Sequence, residues 1–322
     1  FNGEIYNFKF LQNKYLSGDK MKTTSDTEVL IRCLEKKGLN ILNELNGMFA
    51  FGYYKNKNFY LVRDRFGVKP LYYYLAEGAL YFSSEIKPLL EIIKKKDLNN
   101  EYVNNYIKHT ATDYDHSTFI KDIYQLKKGH YLKIVNGEPK QIQWYFGNDF
   151  HFDSNILISN KKTIDFVENL ICDAIKVRLI SDVPICLTLS GGIDSAVIYT
   201  LLKERLNKKI KIFTYSHRGS KSNEYHKVKK LVSYYNDKIY EVEDEEKRLN
   251  INNLEDNIRT LEFPIWGIDS IAYGSVYKEI KKQNFKVVIE GHGSDEQLAG
   301  YPFMMEGAFY DNLKNFKSIK AI

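Results

Sequence analysis

The sequence predicts two domains of different class: a β-rich α+β domain over residues 1–150 and an α/β domain with a parallel sheet over 155–322. Three observations carry this. Short aromatic and β-branched runs separated by turn residues fill the first half. Amphipathic helices alternate with short apolar strands in the second. Between them, from Gly129 to Lys162, the chain turns polar and irregular, ending in Asp153-Ser154-Asn155 and Ser159-Asn160.

In the first half, Asn2-Gly3-Glu4-Ile5-Tyr6-Asn7 reads as a dense turn, and a chain opening on Phe1 inside such a signal is expected to lack an N-terminal segment. A helix is expected from Asp26 to Lys37, stopped by Gly38. Met48–Tyr54 and Phe59–Arg63 flank the turn Lys55-Asn56-Lys57-Asn58 and predict a hairpin. Leu71–Tyr74 and Ala79–Ser84 predict a second around Glu77-Gly78.

In the second half, Ile164, Val167, Ile171, Ala174 and Ile175 lie at helical spacing between Thr163 and Leu179. A strand at Ile185–Leu189, a helix from Asp194 to about Leu206 and a strand at Ile210–Thr214 follow. After a longer helical stretch, Lys286–Ile289 reads as another strand. Such alternation predicts a parallel sheet with helices on both faces.

Composition narrows the function classes. Hydrophobic residues are 43% and charged residues 27%, enough for packed cores. No stretch approaches the roughly 18 uninterrupted apolar residues of a membrane helix. Cys33, Cys172 and Cys186 are too scattered for a disulfide framework or a zinc ribbon, so a cytoplasmic location is expected. The net charge of +6 comes from lysines interspersed with acids, without the stripe or aromatic platform of a nucleic-acid binder.

Two loops carry the chemistry. Ser190-Gly191-Gly192-Ile193-Asp194-Ser195 lies between a strand and a helix. Glycines there turn backbone N–H groups toward an anion, and the helix N-terminus adds about half a positive charge. The hydroxyls of Ser190 and Ser195 can donate to phosphate oxygens, and Asp194 can hold Mg²⁺. No lysine follows the glycines, so this is not the common P-loop. It resembles the pyrophosphate loop of N-type ATP pyrophosphatases, which split ATP into AMP and pyrophosphate. Glu290-Gly291-His292-Gly293-Ser294-Asp295-Glu296 follows the last predicted strand and is expected at the same sheet edge, with Asp295 sharing the metal. In isolation it also reads as a surface turn.

Further stretches complete a pattern: Ser25-Asp26-Thr27-Glu28, Asn46–Phe51, Arg63-Asp64-Arg65-Phe66-Gly67-Val68-Lys69-Pro70-Leu71-Tyr72-Tyr73, Ser84-Glu85-Ile86-Lys87, Ser181-Asp182-Val183-Pro184, and Gly300-Tyr301. With Asn2–Asn7 and the two loops, they make the sequence resemble the asparagine synthetase family of glutamine-hydrolysing amidotransferases over nearly its whole length. The resemblance implies a four-layer (αββα) Ntn-hydrolase-type glutaminase domain, in which an N-terminal cysteine attacks glutamine. It implies that Asn2 and Gly3 form the oxyanion hole, and that Glu4 and Asp26 hold the amino-acid end of glutamine. A turn pair at Asn2-Gly3 and a helix cap at Asp26 are the alternative readings. In the second domain it implies ATP-dependent adenylation of the aspartate side chain, then displacement of AMP by ammonia arriving from glutamine. Thr188, Ser190, Gly191, Gly192, Asp194, Ser195, Tyr215, Glu290 and Gly291 would hold ATP, and Asp194 and Asp295 Mg²⁺. A homodimer is compatible with the family; neither a membrane nor a nucleic-acid partner is expected.

Three departures qualify the resemblance. The nucleophilic cysteine and the glutamine-carboxylate arginine are absent, so this chain is expected to lack glutaminase activity and to expose a sheet edge. The chain ends at Ile322, soon after Gly300-Tyr301, short of a family region with a basic residue that aids pyrophosphate departure. His292 occupies the position where asparagine synthetases commonly carry a glutamate, with Glu290 two residues earlier. A histidine there can act as a base or point to solvent. It leaves open a different carboxylate acceptor, since related enzymes close β-lactam rings or amidate polysaccharide sugar acids. A decayed, non-catalytic nucleotide binder would show eroded site residues, and these are present.

Overall fold

The computed structural model describes residues 1–110, 112, 114–135, 138–147, 161–217, 219, 223–243, 251–264 and 269–314. The chain divides into a unit of Phe1–Asn155 with Leu261–Pro264 and a unit of Ile156–Thr260 with Ile265–Ile322. The linker expected at 150–160 lies outside the described residues.

The first unit contains β1 (Asn2–Ile5), α1 (Phe8–Tyr15), α2 (Asp26–Lys37), β2 (Gly47–Lys55), β3 (Asn58–Arg63), β4 (Tyr72–Ala76), β5 (Ala79–Ser83), α3 (Lys87–Leu90), α4 (Asn100–His109), β6 (Ile123–Gln125), β7 (His130–Val135) and β8 (Glu138–Gln143). These strands make two antiparallel sheets, ordered β1-β2-β3-β7-β8 and β5-β4-β6. The pleat explains the layering. Phe49, Phe51, Tyr53 and Val62 pack against Leu11 of α1 and Val29, Leu30, Cys33 and Leu34 of α2. Their neighbours Ala50 and Leu61 face the other way, onto Tyr73 of β4 and Leu126. Tyr72, on the opposite face of β4, packs with Leu89 of α3, Ile86 and Ile93. The order is therefore helix, sheet, sheet, helix. Each large apolar side chain buried this way contributes about 1.5–3 kcal/mol.

Both predicted hairpins form on two-residue turns with positive φ, Asn56 (51°) with Lys57 (61°) and Glu77 (52°) with Gly78 (75°). The opening segment differs from expectation. Asn2–Ile5 is an edge strand rather than a turn, and its glycine serves close backbone approach. A Cβ on Gly3 would lie 2.1 Å from Met48 O, and one on Gly47 2.2 Å from Glu4 O, so side chains at either position would part β1 from β2.

The second unit contains α5 (Lys161–Arg178), β9 (Ile185–Thr188), α6 (Ile193–Glu204), β10 (Lys211–Ser216), α7 (Tyr225–Tyr234), β11 (Ile239–Glu243), α8 (Ile251–Leu261, whose last residue belongs to the first unit), α9 (Asp269–Lys282), β12 (Val287–Ile289), α10 (Ser294–Leu298) and α11 (Pro302–Lys314). Its sheet is parallel, ordered β11-β10-β9-β12. Ile175, Ile198, Leu202, Val228 and Val232 of α5, α6 and α7 cover Leu187 and Ile212. Val276 and Ile280 of α9 cover Cys186 and Phe213 on the other face. The chain leaves β9 for β10 and β11, then returns to β12 on the opposite side of β9. The switch in direction opens a crevice at the carboxyl ends of β9 and β12. Among the described residues no helix is long and apolar enough to cross a membrane.

Candidate functional site

The first glycine loop follows β9 and runs into α6. Ser190 N and Ser190 Oγ both lie near Ser195 Oγ, at 3.2 and 3.1 Å, and Gly192 N donates to Ser190 Oγ at 3.2 Å. The loop is thus pinned by its own hydroxyls. Gly191 has φ 88°, and a Cβ there would lie 2.9 Å from Glu224 Cβ. Gly192 stands at the N-cap of α6 without a side-chain cap, leaving first-turn N–H groups open to an anion. Beneath the loop, the buried Thr214 hydroxyl donates to Leu189 O at 2.6 Å.

The second loop follows β12, whose Ile289 pairs with Leu187 of β9. A Cβ on Gly291 would lie 3.0 Å from Ser195 N and 3.1 Å from Asp194 Cβ, so the glycine lets the two loops meet. Glu290 Oε1 accepts from Tyr277 OH at 2.7 Å and Thr188 Oγ1 at 3.2 Å, and His292 Nδ1 lies 3.0 Å from Glu290 Oε2. A cavity of about 690 Å³ opens between the loops. Thr188, Ser190, Gly192, Asp194, Ser195, Tyr215, Glu290, Gly291, His292 and Asp295 all line it, as do Phe213, Ile271 and Val276 on an apolar wall; of the residues expected to hold ATP, Gly191 is outside this lining.

The acids beside the first loop are crowded. Burial first, then the charges of Asp295 and Glu296, hold the Asp194 carboxyl above the usual carboxylate range. Glu296 accepts from Tyr301 OH at 2.9 Å, which raises the phenol. A Cβ on Gly300 would lie 1.8 Å from Asp295 Oδ1, so the absence of a side chain there leaves Asp295 its place. Among the described residues no three His, Cys, Asp or Glu side chains are grouped as a metal site. Burial pushes the Cys186 thiol up to about 12, which makes it an inert core group.

In the first unit, Asn2, Gly3 and Glu4 are consecutive on β1, and Asp26 is tied to them: its Oδ2 accepts from Ile5 N at 2.8 Å. Asp26 is not the helix cap. Ser25 is, accepting from Thr27 N at 3.1 Å. The motif running on from Arg63 has a structural basis. The buried Asp64 carboxylate accepts from the backbone N–H groups of Phe49 (3.2 Å), Phe66 (3.0 Å), Val68 (3.1 Å) and Lys69 (3.0 Å). Arg63 donates to Lys69 O, Gly67 O and Leu126 O.

Residues 1–145 match the family described as a glutamine amidotransferase domain, and residues 167–317 the family described as asparagine synthase. The chain belongs to the asparagine synthetase family. Asparagine synthetase [glutamine-hydrolyzing] 2 of Bacillus subtilis is 31% identical, over 93% of this chain and 42% of its own length. A relative from Methanocaldococcus jannaschii is 30% identical over 98% of this chain and 61% of its own. Amidase chyE of Penicillium rubens is 27% identical over 93% of this chain and 46% of its own. The chain therefore spans about half the length of these relatives. Among solved structures, a glutamine phosphoribosylpyrophosphate amidotransferase from B. subtilis aligns with 14% identity and TM-score 0.33, over 90% of this chain and 69% of that chain.

Glu296 and Tyr301, which also line the cavity, lie in stretches the sequence singles out without a role of their own, whereas Tyr273 lies in none of them. Tyr277 was legible in principle, because it lies one helical turn beyond Tyr273 on α9 and both face the cavity.

Proposed function

We propose that the second unit is an ATP-pyrophosphatase-type ligase of the pyrophosphate-loop class, and that the protein is a glutamine-hydrolysing asparagine synthase. The observation that carries this reading is the meeting of two glycine loops, one hydroxyl-rich and one acidic, over one cavity at the ends of β9 and β12. In the proposed reaction an aspartate side-chain oxygen attacks the α-phosphorus of ATP and pyrophosphate leaves. Ammonia from glutamine then attacks the acyl carbon and AMP leaves. The two-step route exchanges an oxide leaving group for AMP.

Each residue has a part in this scheme. The N–H groups of Gly191, Gly192 and the first turn of α6 face the departing pyrophosphate, and Ser190 and Ser195 exchange their mutual bond for bonds to its oxygens. Thr188 and Tyr215 flank the nucleoside, with Phe213 and Val276 supplying an apolar wall. Asp194 and Asp295 suit Mg²⁺: burial, then acid neighbours whose charge a cation would offset, raise the Asp194 carboxyl, and Mg²⁺ is commonly held by one or two carboxylates plus phosphate oxygens. Bound there, Mg²⁺ would neutralise charge on the triphosphate. In the first unit, an Ntn-hydrolase-type glutaminase, Asn2 and Gly3 would supply the oxyanion donors, and Glu4 and Asp26 the grip on glutamine.

A second reading keeps the chemistry and changes the acceptor to another carboxylate, such as a sugar acid. His292 in place of a fixed acid supports it, and some relatives carry the name amidase. The test is ATP–pyrophosphate exchange with the full-length protein and a panel of carboxylates. Stimulation by aspartate alone favours the first reading; stimulation only by another acid favours the second; none with any acid refutes both.

A further inference from the structure

Glu290 is held by groups from three elements. Its Oε1 accepts from Tyr277 of α9 and Thr188 of β9, and its Oε2 faces His292 Nδ1 at 3.0 Å. A carboxylate only accepts, so this bond places the proton of a neutral imidazole on Nδ1 and leaves the lone pair on Nε2. The Tyr273 ring lies 5.6 Å from the imidazole, centroid to centroid, and the His292 side chain is otherwise 64% exposed. Burial, then the bond to Glu290, raises the Tyr277 phenol, which therefore stays a donor. His292 lines the same cavity as Ser190 and Asp194.

We propose that Glu290, anchored by Tyr277 and Thr188, is a positioning residue that aims His292 Nε2 at the nitrogen nucleophile. The inference rests on the acyl-adenylate chemistry proposed above. As the nitrogen of ammonia or an amine attacks the acyl carbon, the C–N bond forms and an N–H proton passes to His292 Nε2. The C–O bond to AMP then breaks, and its electron pair leaves on the phosphate. The carboxylate and the base are thus two residues here, joined by one hydrogen bond.

Two measurements test this on the full-length protein. In ¹⁵N-histidine NMR, His292 is expected as the Nδ1–H tautomer. Glu290→Gln is expected to convert it to Nε2–H, because the single amide oxygen is taken by Tyr277 and the NH₂ then faces Nδ1. An Nε2–H tautomer in the wild type overturns the proposal whatever the reaction. The second measurement is the ratio of amide formed to pyrophosphate exchanged. It is expected to fall by about 10²–10⁴ in His292→Ala, by about 10² or more in Glu290→Gln, and by less in Tyr277→Phe. A ratio equal to wild type in Glu290→Gln overturns the positioning role while leaving the adenylation reading intact. No exchange in the wild type refutes the reading and the positioning role with it.

Discussion

Gly191→Ala offers a quantitative test of how the first loop is built. Gly191 has φ 88°, where an L-residue is strained by about 1–2 kcal/mol. The new methyl would lie 2.9 Å from Glu224 Cβ and 3.2 Å from Glu224 O. That is well inside the roughly 3.5–4.0 Å at which carbons pack best. Overpacking of this kind costs about 1–3 kcal/mol, so the total is about 2–5 kcal/mol. Gly78→Ala is the control: its φ is 75°, but nothing lies within 4 Å of the added Cβ. Urea denaturation should show the control losing only about 1–2 kcal/mol. Gly191→Ala should lose more, or move the loop and weaken ATP binding by calorimetry at least tenfold, equivalent to about 1.4 kcal/mol. If Gly191→Ala is no less stable than Gly78→Ala and binds ATP within threefold of wild type, the loop geometry argued here is wrong.

Other perturbations separate structure from chemistry. Asp64→Ala strips the acceptor from four backbone N–H groups, one of them in β2, and is expected to destabilise the chain by about 3–5 kcal/mol in urea titrations. Asp295→Asn removes a charge that raises Asp194, so the nucleotide-free protein should melt higher at neutral pH while Mg-ATP binds at least tenfold (about 1.4 kcal/mol) more weakly. Glu28 accepts first from Lys22 N, then from Thr23 and Arg32, and its carboxyl is held down to about 2. A depressed carboxyl stabilises the fold above its ordinary value of 4.5 and loses that contribution as pH falls toward 2. Glu28→Gln should therefore flatten the decline in urea midpoint across that window.

Local chemistry was readable where it was complete in sequence. The two hairpins follow from aromatic and β-branched runs around Lys55–Asn58 and Glu77-Gly78, and the end of α2 from Gly38. The strand–loop–helix around Ser190–Ser195 followed from an apolar strand meeting paired glycines. The opening strand was misread because Asn and Gly signal turns, whereas here Gly3 answers to the backbone of Met48 some forty-five residues away. β8 carries no sequence signal because Glu138–Gln143 is a polar edge strand. In the site, the loops were legible as motifs. The grip of Tyr277 and Thr188 on Glu290 was not, since it depends on how α9 packs over β9.

In the proposed reaction the cavity between the glycine loops activates a carboxylate as its adenylate. The most direct measurement supplies the full-length protein with Mg²⁺, ATP, ammonia and ¹⁸O-carboxylate aspartate, and reads the label by mass spectrometry. One ¹⁸O is expected in AMP for each amide formed, and none in pyrophosphate. Label retained wholly in the acceptor, or release of ADP and phosphate instead of AMP and pyrophosphate, would contradict it.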